Sequence, residues 1–326
     1  MHNNHTDTIV IVLNWNQSEM TLKFIKQLME VEDEEYDIMI IDNNSSPNER
    51  EKLIDYVKGK SPEWSIIRET QLNDKIENKK GYLLLLNRNY GYAKGNNYGL
   101  RLACALGYKY SLISNNDVVL EKPVIAQLKR ILKSNDNIAI VGPKILDANN
   151  KRQGPALGGS KLNGLYAYFF RPVFYPVFYP YERIKDYIVD KKIKNAKLLY
   201  PYTISGCFML VDNFKMKEVD FFDENTFLYA EEPIIAERLK KKNYQIAYYD
   251  SIYVKHLHGQ TTALLKNKNK LLIELDSLLY YFREYKDFNK FELLLIKYGY
   301  LWDHFVLRPT IRFIKNTIKN LAKGRR

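Results

Sequence analysis

Short apolar runs alternate with longer amphipathic segments through the first half of this chain, and that rhythm constrains the fold more than any other feature. Thr8-Ile9-Val10-Ile11-Val12-Leu13 is β-branched, apolar and bounded by polar residues, the pattern of a strand buried on both faces. Residues 18–29 then place Met20, Phe24 and Leu28 on one helical face. A second strand is expected over residues 36–41, ended by Asp42-Asn43-Asn44-Ser45-Ser46-Pro47, after which Pro47, Glu49 and Glu51 suit a helix start. Strands over 83–86, 110–113 and 138–141 and helices over 93–106 and 123–132 continue the alternation. This predicts right-handed βαβ units, hence an α/β fold with a mostly parallel central sheet and helices on both faces. Ligands of such sheets bind beyond the carboxyl ends of the strands. Asp42 and Asp117 each follow a strand, so both are expected to line one crevice.

The rhythm falters over residues 147–200, where four glycines precede an aromatic run from Tyr166 to Tyr181 with Pro172, Pro176 and Pro180 spaced by four. An irregular insertion is expected there, serving either as an acceptor-side cover or as a decorative loop. Pattern returns at 202–211 (strand), 234–241 (helix) and 245–249 (strand). The expected division is therefore an α/β domain over 1–262 and a helical extension over 263–326.

The net charge of +12 favours anionic partners. From Arg308 to Arg326 there are seven basic residues and no acidic ones, interleaved with Leu307, Ile311, Ile314 and Ile318. This amphipathic tail reads either as peripheral contact with an anionic membrane or as a helix packed on the domain with a solvated basic face. No nucleic-acid motif accompanies the charge, so nucleic acid is not an expected partner. Cys104 and Cys207 fit neither a disulfide framework nor metal-ligand spacing, and the polar start Met1-His2-Asn3-Asn4-His5 lacks signal-peptide character. A cytoplasmic protein, peripheral on the inner face of the cell membrane, is the expectation.

Four segments carry side chains capable of chemistry. Asn115-Asn116-Asp117 is either an ordinary Asx-rich turn or a carboxylate station for Mg²⁺ or Mn²⁺ beside a diphosphate. Asn89 to Gly99 has glycines every four residues, and the amides at Gly91 and Gly95, with the charge of Lys94, suit a phosphate or ribose. Glu231 and Glu232 either complement a helix dipole or supply a general base. His256-Leu257-His258 after a strand offers structural histidines or part of a metal shell.

In this order these segments resemble family 2 glycosyltransferases of the GT-A fold, particularly the bacterial rhamnosyltransferase-like branch, over roughly residues 8–262. The carriers are Leu13-Asn14-Trp15-Asn16, Ile41-Asp42-Asn43-Asn44-Ser45, Asn89 to Gly99, Ser205-Gly206-Cys207-Phe208-Met209 and Phe222 to Leu239. The resemblance implies that Asp42 reads the pyrimidine base and that Asn14, Asn16, Asn44, Lys94, Asn97 and Asn116 bind the nucleotide. It gives Asp117 the metal-binding place, with His256 and then His258 as the histidine partner. Glu232 stands where the family's base, usually Asp, is found, and Glu231 where an acid contacts the acceptor. Asn115 replaces the first acid of the family's Asp-x-Asp, and Ile234 replaces a second family Asp.

The implied function is inverting transfer of a sugar, rhamnose favoured, from a dTDP- or UDP-sugar to a glycan acceptor, lipid-linked, in cell-surface polysaccharide synthesis. The alternative is a catalytically inactive homologue that binds sugar nucleotides or glycans.

Overall fold

A computed structural model describes residues 6–257 and 267–323. The chain divides into two units, Met1–Leu157 with Ala196–Glu274, and Gly158–Asn195 with Leu275–Arg326. In chain order the elements begin with β1 (Thr8–Asn14), α1 (Ser18–Val31), β2 (Asp37–Asp42), α2 (Pro47–Lys58), β3 (Trp64–Arg68), β4 (Gly81–Leu85) and α3 (Gly91–Ala105). Next come β5 (Tyr110–Asn115), β6 (Val118–Val119), α4 (Ile125–Ser134), β7 (Ile138–Leu146) and β8 (Arg152–Gln153). The second unit contributes α5 (Lys161–Leu165), α6 (Arg171–Val173) and α7 (Tyr175–Asn195) before the chain returns to the first. There follow β9 (Leu198–Leu199), β10 (Phe208–Asp212), α8 (Asn213–Glu218), α9 (Glu231–Lys241), β11 (Gln245–His256) and α10 (Asn267–Lys286). Then α11 (Lys290–Trp302) and α12 (Arg308–Lys323) complete the second unit.

The described strands form one sheet in the order β3-β4-β2-β1-β5-β10-β7-β11-β6, with β8 beside β7 and β9 beside β11. The strands from β3 to β5 are all parallel, as the alternating pattern predicts. In the other half β10 runs against both β5 and β7, which its apolar sequence alone does not reveal. The register sets Asn14 opposite Asp42 and Leu13 opposite Asn115, so three neighbouring strands end on one level. Strand β3, absent from the sequence reading, pairs with β4 at the sheet edge, and its Trp64 packs edge-on against Tyr56 of α2.

Side-chain alternation builds a helical layer on each face. Val10, Val12, Ile38, Ile40, Leu83, Leu112 and Leu210 share one cluster with Phe24 and Leu28 of α1, Leu53 of α2 and Leu128 of α4. Ile11 and Ile41 face the other way, toward α3. That helix lies close to the sheet through glycine: an added Cβ on Gly99 would come within 2.6 Å of Ile41, and one on Gly95 within 2.8 Å of Leu13. The four-residue glycine spacing is therefore the packing face of a helix. The α-carbon of Gly95 faces the sheet.

Residues 161–195, expected to be irregular, are helical. The prolines that suggest otherwise fall mostly where a helix tolerates them, Pro172 in the first turn of α6 and Pro176 in the first turn of α7, while Pro180 lies within α7. The second unit has an aromatic centre, with Phe282 close to Tyr168 and Phe288. Asn289 and Glu292 cap the start of α11 reciprocally.

Glu32, just past α1, accepts the amides of Val124 and Ile125 and so docks the start of α4. Burial pushes its pKa up to about 7, the charges of Asp33 and Glu34 add to this, and the two amides work against it. The folded value lies above the ordinary one, so the folded state favours the protonated form. The stabilisation is complete below the unfolded pKa and is lost as pH rises through the folded pKa. Relative to Glu32→Gln, wild-type Tm is expected to fall progressively between about pH 4.5 and about pH 7. Parallel thermal melts of the two proteins across that range check this, and a constant difference would refute it.

Candidate functional site

At the carboxyl ends of β1, β2 and β5 the side chains form a buried polar chain. Asn14 donates through Nδ2 to Asp42 Oδ1 (3.3 Å) and Ser45 Oγ (3.0 Å), and its Oδ1 accepts from Thr21 Oγ1 (2.8 Å). The same Thr21 hydroxyl accepts from Asn116 Nδ2 (3.0 Å). Asn14, Asp42, Asn116 and Asp117 are all buried. Asn16 and Asn44 take left-handed backbone conformations, which asparagine tolerates better than most residues, and Asn16 Oδ1 accepts from the Ser46 amide.

Not every expected nucleotide residue faces open space. Asp42 is satisfied by Arg50, whose Nε lies 2.6 Å from Oδ2, and by the Ser45 amide. It lines neither of the two cavities at this edge. Its neighbour Asn43 lines one and also holds the following loop, donating to Asn89 Oδ1 and Gly91 O and accepting from the Tyr90 amide. Lys94 pairs with Glu224 (3.0 Å), and Asn97 exchanges hydrogen bonds with the backbone of Phe222. These two residues fasten the segment before α9 to α3 and line neither cavity.

The smaller cavity, about 120 Å³, is lined by Leu13, Trp15, Phe227 and Leu228 with Asn43, Asn89, Asn115 and Asn116. A larger one, about 360 Å³, gathers Asp117, His256, Glu231, Glu232, Gly206 and Lys270, and shares Tyr92, Asn115 and Leu228 with the first. Trp15, Asn43, Tyr92 and Lys270 were not among the expected site residues. Trp15 was legible as the residue leaving the first strand, whereas nothing in the sequence marks Lys270. His258 lies outside the described residues.

Asp117 and His256 meet because β6 pairs with β11, setting His256 opposite Val118. His256 Nε2 lies 3.1 Å from Asp117 Oδ1, and Nδ1 lies 3.2 Å from Gln153 Oε1. Burial disfavours charge on the ring, but the Asp117 carboxylate and the sulfur of Cys207 outweigh it and raise the pKa to about 10. Asp117 Oδ1 is buried without an aligned hydrogen-bond donor, so its contact with the ring is one of charge. A buried carboxylate oxygen in this condition, beside an imidazole nitrogen, fits a hard divalent cation. Among the described residues no group of three or more His, Cys, Asp and Glu side chains assembles to hold one.

Glu231 and Glu232 open α9 in different environments. Glu232 Oε1 accepts the Gly206 amide (3.0 Å), and Gly206 O accepts from Tyr92 Oη (2.6 Å). Glu231 is buried with Oε1 unpartnered, and burial together with the charge of Glu232 raises its pKa to about 8. Just before the helix, Tyr229 and Ala230 both adopt positive φ, 74° and 66°. Two successive non-glycine residues in that region are strained.

No protein-family description matches this chain, and no curated protein matches it in sequence. The architecture is nevertheless that of the GT-A type nucleotide-diphospho-sugar transferase fold. Among solved structures sharing it is GalNAc-T7 crystallised with UDP, GalNAc and Mn²⁺, at 12% identity and a TM-score of 0.54, matched over 79% of this chain and 45% of that one. Another is S. aureus TarS, at 12% identity and a TM-score of 0.50, matched over 92% of this chain and 43% of that one. The chain thus spans less than half the length of either, and at such identity the likeness is one of fold.

The strain at Ala230 is directly testable. Ala230→Gly removes the Cβ penalty of the left-handed conformation and is expected to stabilise the protein by about 1 kcal/mol, a rise in Tm of about 2 °C. A calorimetric Tm that is unchanged or lower would show that the alanine sits there without cost.

Proposed function

We propose that this chain transfers a sugar from a pyrimidine nucleotide diphosphate to a glycan acceptor by a single inverting displacement. The observation that carries the reading is the wall of the larger cavity, which holds a carboxylate–imidazole pair, Asp117 and His256, together with the carboxylates Glu231 and Glu232. Such a transfer requires one group to meet the leaving diphosphate and another to take the proton of the attacking hydroxyl. In this reading the smaller cavity receives the nucleoside, with Trp15 offering its ring to the base and the polar groups of Asn115 and Asn116 their hydrogen bonds. The role first expected of Asp42 passes to these neighbours, and Asp42 instead holds their turn in shape.

The acceptor oxygen attacks the anomeric carbon on the face opposite the diphosphate. The bond from that carbon to the phosphate oxygen breaks, and the hydroxyl proton passes to a carboxylate. Glu231 retains its own proton near neutral pH, so Glu232 is the base and Glu231 a neutral hydrogen-bonding partner for the acceptor. The Gly206 amide holds one oxygen of Glu232 and orients the other. A Mg²⁺ or Mn²⁺ ion held by Asp117 and, on displacing a ring proton, by His256 would neutralise charge on the departing diphosphate. GalNAc-T7 in its crystal structure is accompanied by Mn²⁺ and UDP, which supports a metal here without fixing it. The family resemblance favours a rhamnosyl donor on dTDP, then UDP-hexoses, and a lipid-linked acceptor.

Glu232→Gln is expected to lower transfer by a factor of about 10²–10⁴ while nucleotide binding persists. Release of dTDP or UDP from a panel of donor sugars is the measurement, and a wild-type rate in the variant would remove Glu232 from the mechanism. Inactivity of the wild type with every donor, alongside retained binding, would favour the sugar-nucleotide-binding alternative.

Asp117→Asn is expected to abolish Mn²⁺ binding measured calorimetrically in the presence of UDP. Chelator should likewise slow donor turnover by the wild-type protein. Full turnover in chelator would assign neutralisation of the diphosphate to protein side chains alone.

A further inference from the structure

The two units differ sharply in charge and in exposed apolar surface. Gly158–Asn195 with Leu275–Arg326 carries 18 Lys and Arg against 8 Asp and Glu, a net of +10 out of the chain's +12. The other unit, much the longer, is nearly balanced at 32 against 30. Of the 24 large hydrophobic side chains exposed among the described residues, 18 also lie in the basic unit. Soluble surfaces rarely concentrate both properties in one place.

Two helices hold much of this surface. In α7 the residues Val177, Tyr181, Ile184 and Ile188 recur at steps of four, three and four, which forms one stripe, and each is more than half exposed. Lys185 and Lys192 fall beside that stripe. In α12 the same steps recur in Ile311, Ile314 and Ile318, continuing from Leu307, and Arg308, Arg312 and Lys315 follow one position later. A shift of one residue turns a side chain about 100° round the helix, so a basic stripe borders the apolar one. Both helices make their close contacts chiefly with chain neighbours, and Ile314 and Ile318 are at least half exposed while Leu307 and Ile311 are half-buried. Tyr187, Tyr298 and Trp302 add exposed rings with a polar edge, the type favoured at a membrane–water boundary. No described helix is long and apolar enough to cross a bilayer.

We propose that this second unit is a membrane-surface module that lies on an anionic bilayer through α7 and α12, not through the basic tail alone. Apolar stripes flanked by cations match a surface with negative headgroups above a hydrocarbon layer. A second copy of the chain is a poor occupant, because two faces of the same strong positive charge repel. The inference is independent of the sugar-transfer reading, since it uses none of the residues lining either cavity.

The test is co-sedimentation of the full chain with vesicles of phosphatidylcholine alone or mixed with phosphatidylglycerol, at low and high salt. Binding is expected only to the mixed vesicles and should weaken with salt. The double variant Arg312→Glu/Lys315→Glu should reduce partitioning at least about tenfold. Val177→Asp/Ile184→Asp should also reduce it, with unchanged circular dichroism and unchanged donor-sugar release for both variants. Equal binding to neutral vesicles, or none to either kind, overturns the proposal. Full binding by the α7 variant overturns the unit-wide surface. Dimerisation in sedimentation velocity or a salt-sensitive DNA shift, in the absence of vesicle binding, would replace the bilayer with those partners.

Discussion

The site depends on keeping a set of polar side chains buried where three parallel strands end together. Asn14 is the junction: its amide binds the β2 turn through Asp42 and Ser45, and its carbonyl binds Thr21 of α1, which in turn receives Asn116. Burying so many polar atoms is tolerable only because nearly every one finds a partner, and a half-satisfied network would cost more than an apolar one. The Arg50–Asp42 pair belongs to the same logic. A wholly buried carboxylate needs its cation, and removing either partner would leave the other uncompensated. The position of Asp117, one residue beyond Asn116, follows from this chain of bonds as much as from its turn between β5 and β6.

The second support is the closeness of α3 to the sheet. Glycine at positions 95 and 99 removes the side chains that would hold the helix away from Leu13, Ile11 and Ile41. Gly91, at φ 78°, lets the chain turn into the helix where a Cβ would collide with the carbonyl of Phe227. From that helix Asn97 grips Phe222, Lys94 and Arg101 grip Glu224, and Tyr92 reaches the Gly206 carbonyl. One helix thus sets the segment that leads into Glu231 and Glu232, and also the peptide on which Glu232 rests. Polar residues in a motif of this kind do two jobs, and the fastening job is the one visible in Lys94 and Asn97.

The parallel half of the sheet was legible because fully buried strands leave unbroken apolar runs such as residues 9–13 and 38–41, separated by amphipathic helices. The antiparallel β10 was not, since an apolar run carries no direction. Strand β3 escaped notice because its edge position leaves only Trp64 and Ile67 buried. The helices over 161–195 were hidden by prolines whose harmlessness depends on register within a turn. At the site, Asp117, His256, Glu231 and Glu232 could be named because they stand at motif positions of the family that the sequence resembles. Which of them face open space is decided by pairings across the fold. Asp42 turns to Arg50, eight residues on, and Lys270 arrives from a helix whose sequence bears no motif.

The adjacent acids show how environment separates two chemically identical groups. Both stand at the start of α9, where the helix dipole favours negative charge equally. What differs is the partner. Glu232 has an amide of the β10 approach, from Gly206, supplied at 3.0 Å, whereas one oxygen of Glu231 is buried with nothing to bond. Burial first, and then the nearby charge of Glu232, raises the pKa of Glu231 against two backbone amides that lower it. An added Cβ on Gly206 would sit 2.9 Å from Oε1 of Glu232, so a larger residue there would oblige that carboxylate to shift. The strained turn through Tyr229 and Ala230 works in the same direction, since it aims the helix start at this peptide. Gly206, which meets Glu232 through its N–H, is held at its carbonyl by the Tyr92 hydroxyl from α3, so one helix fixes what Glu232 rests on.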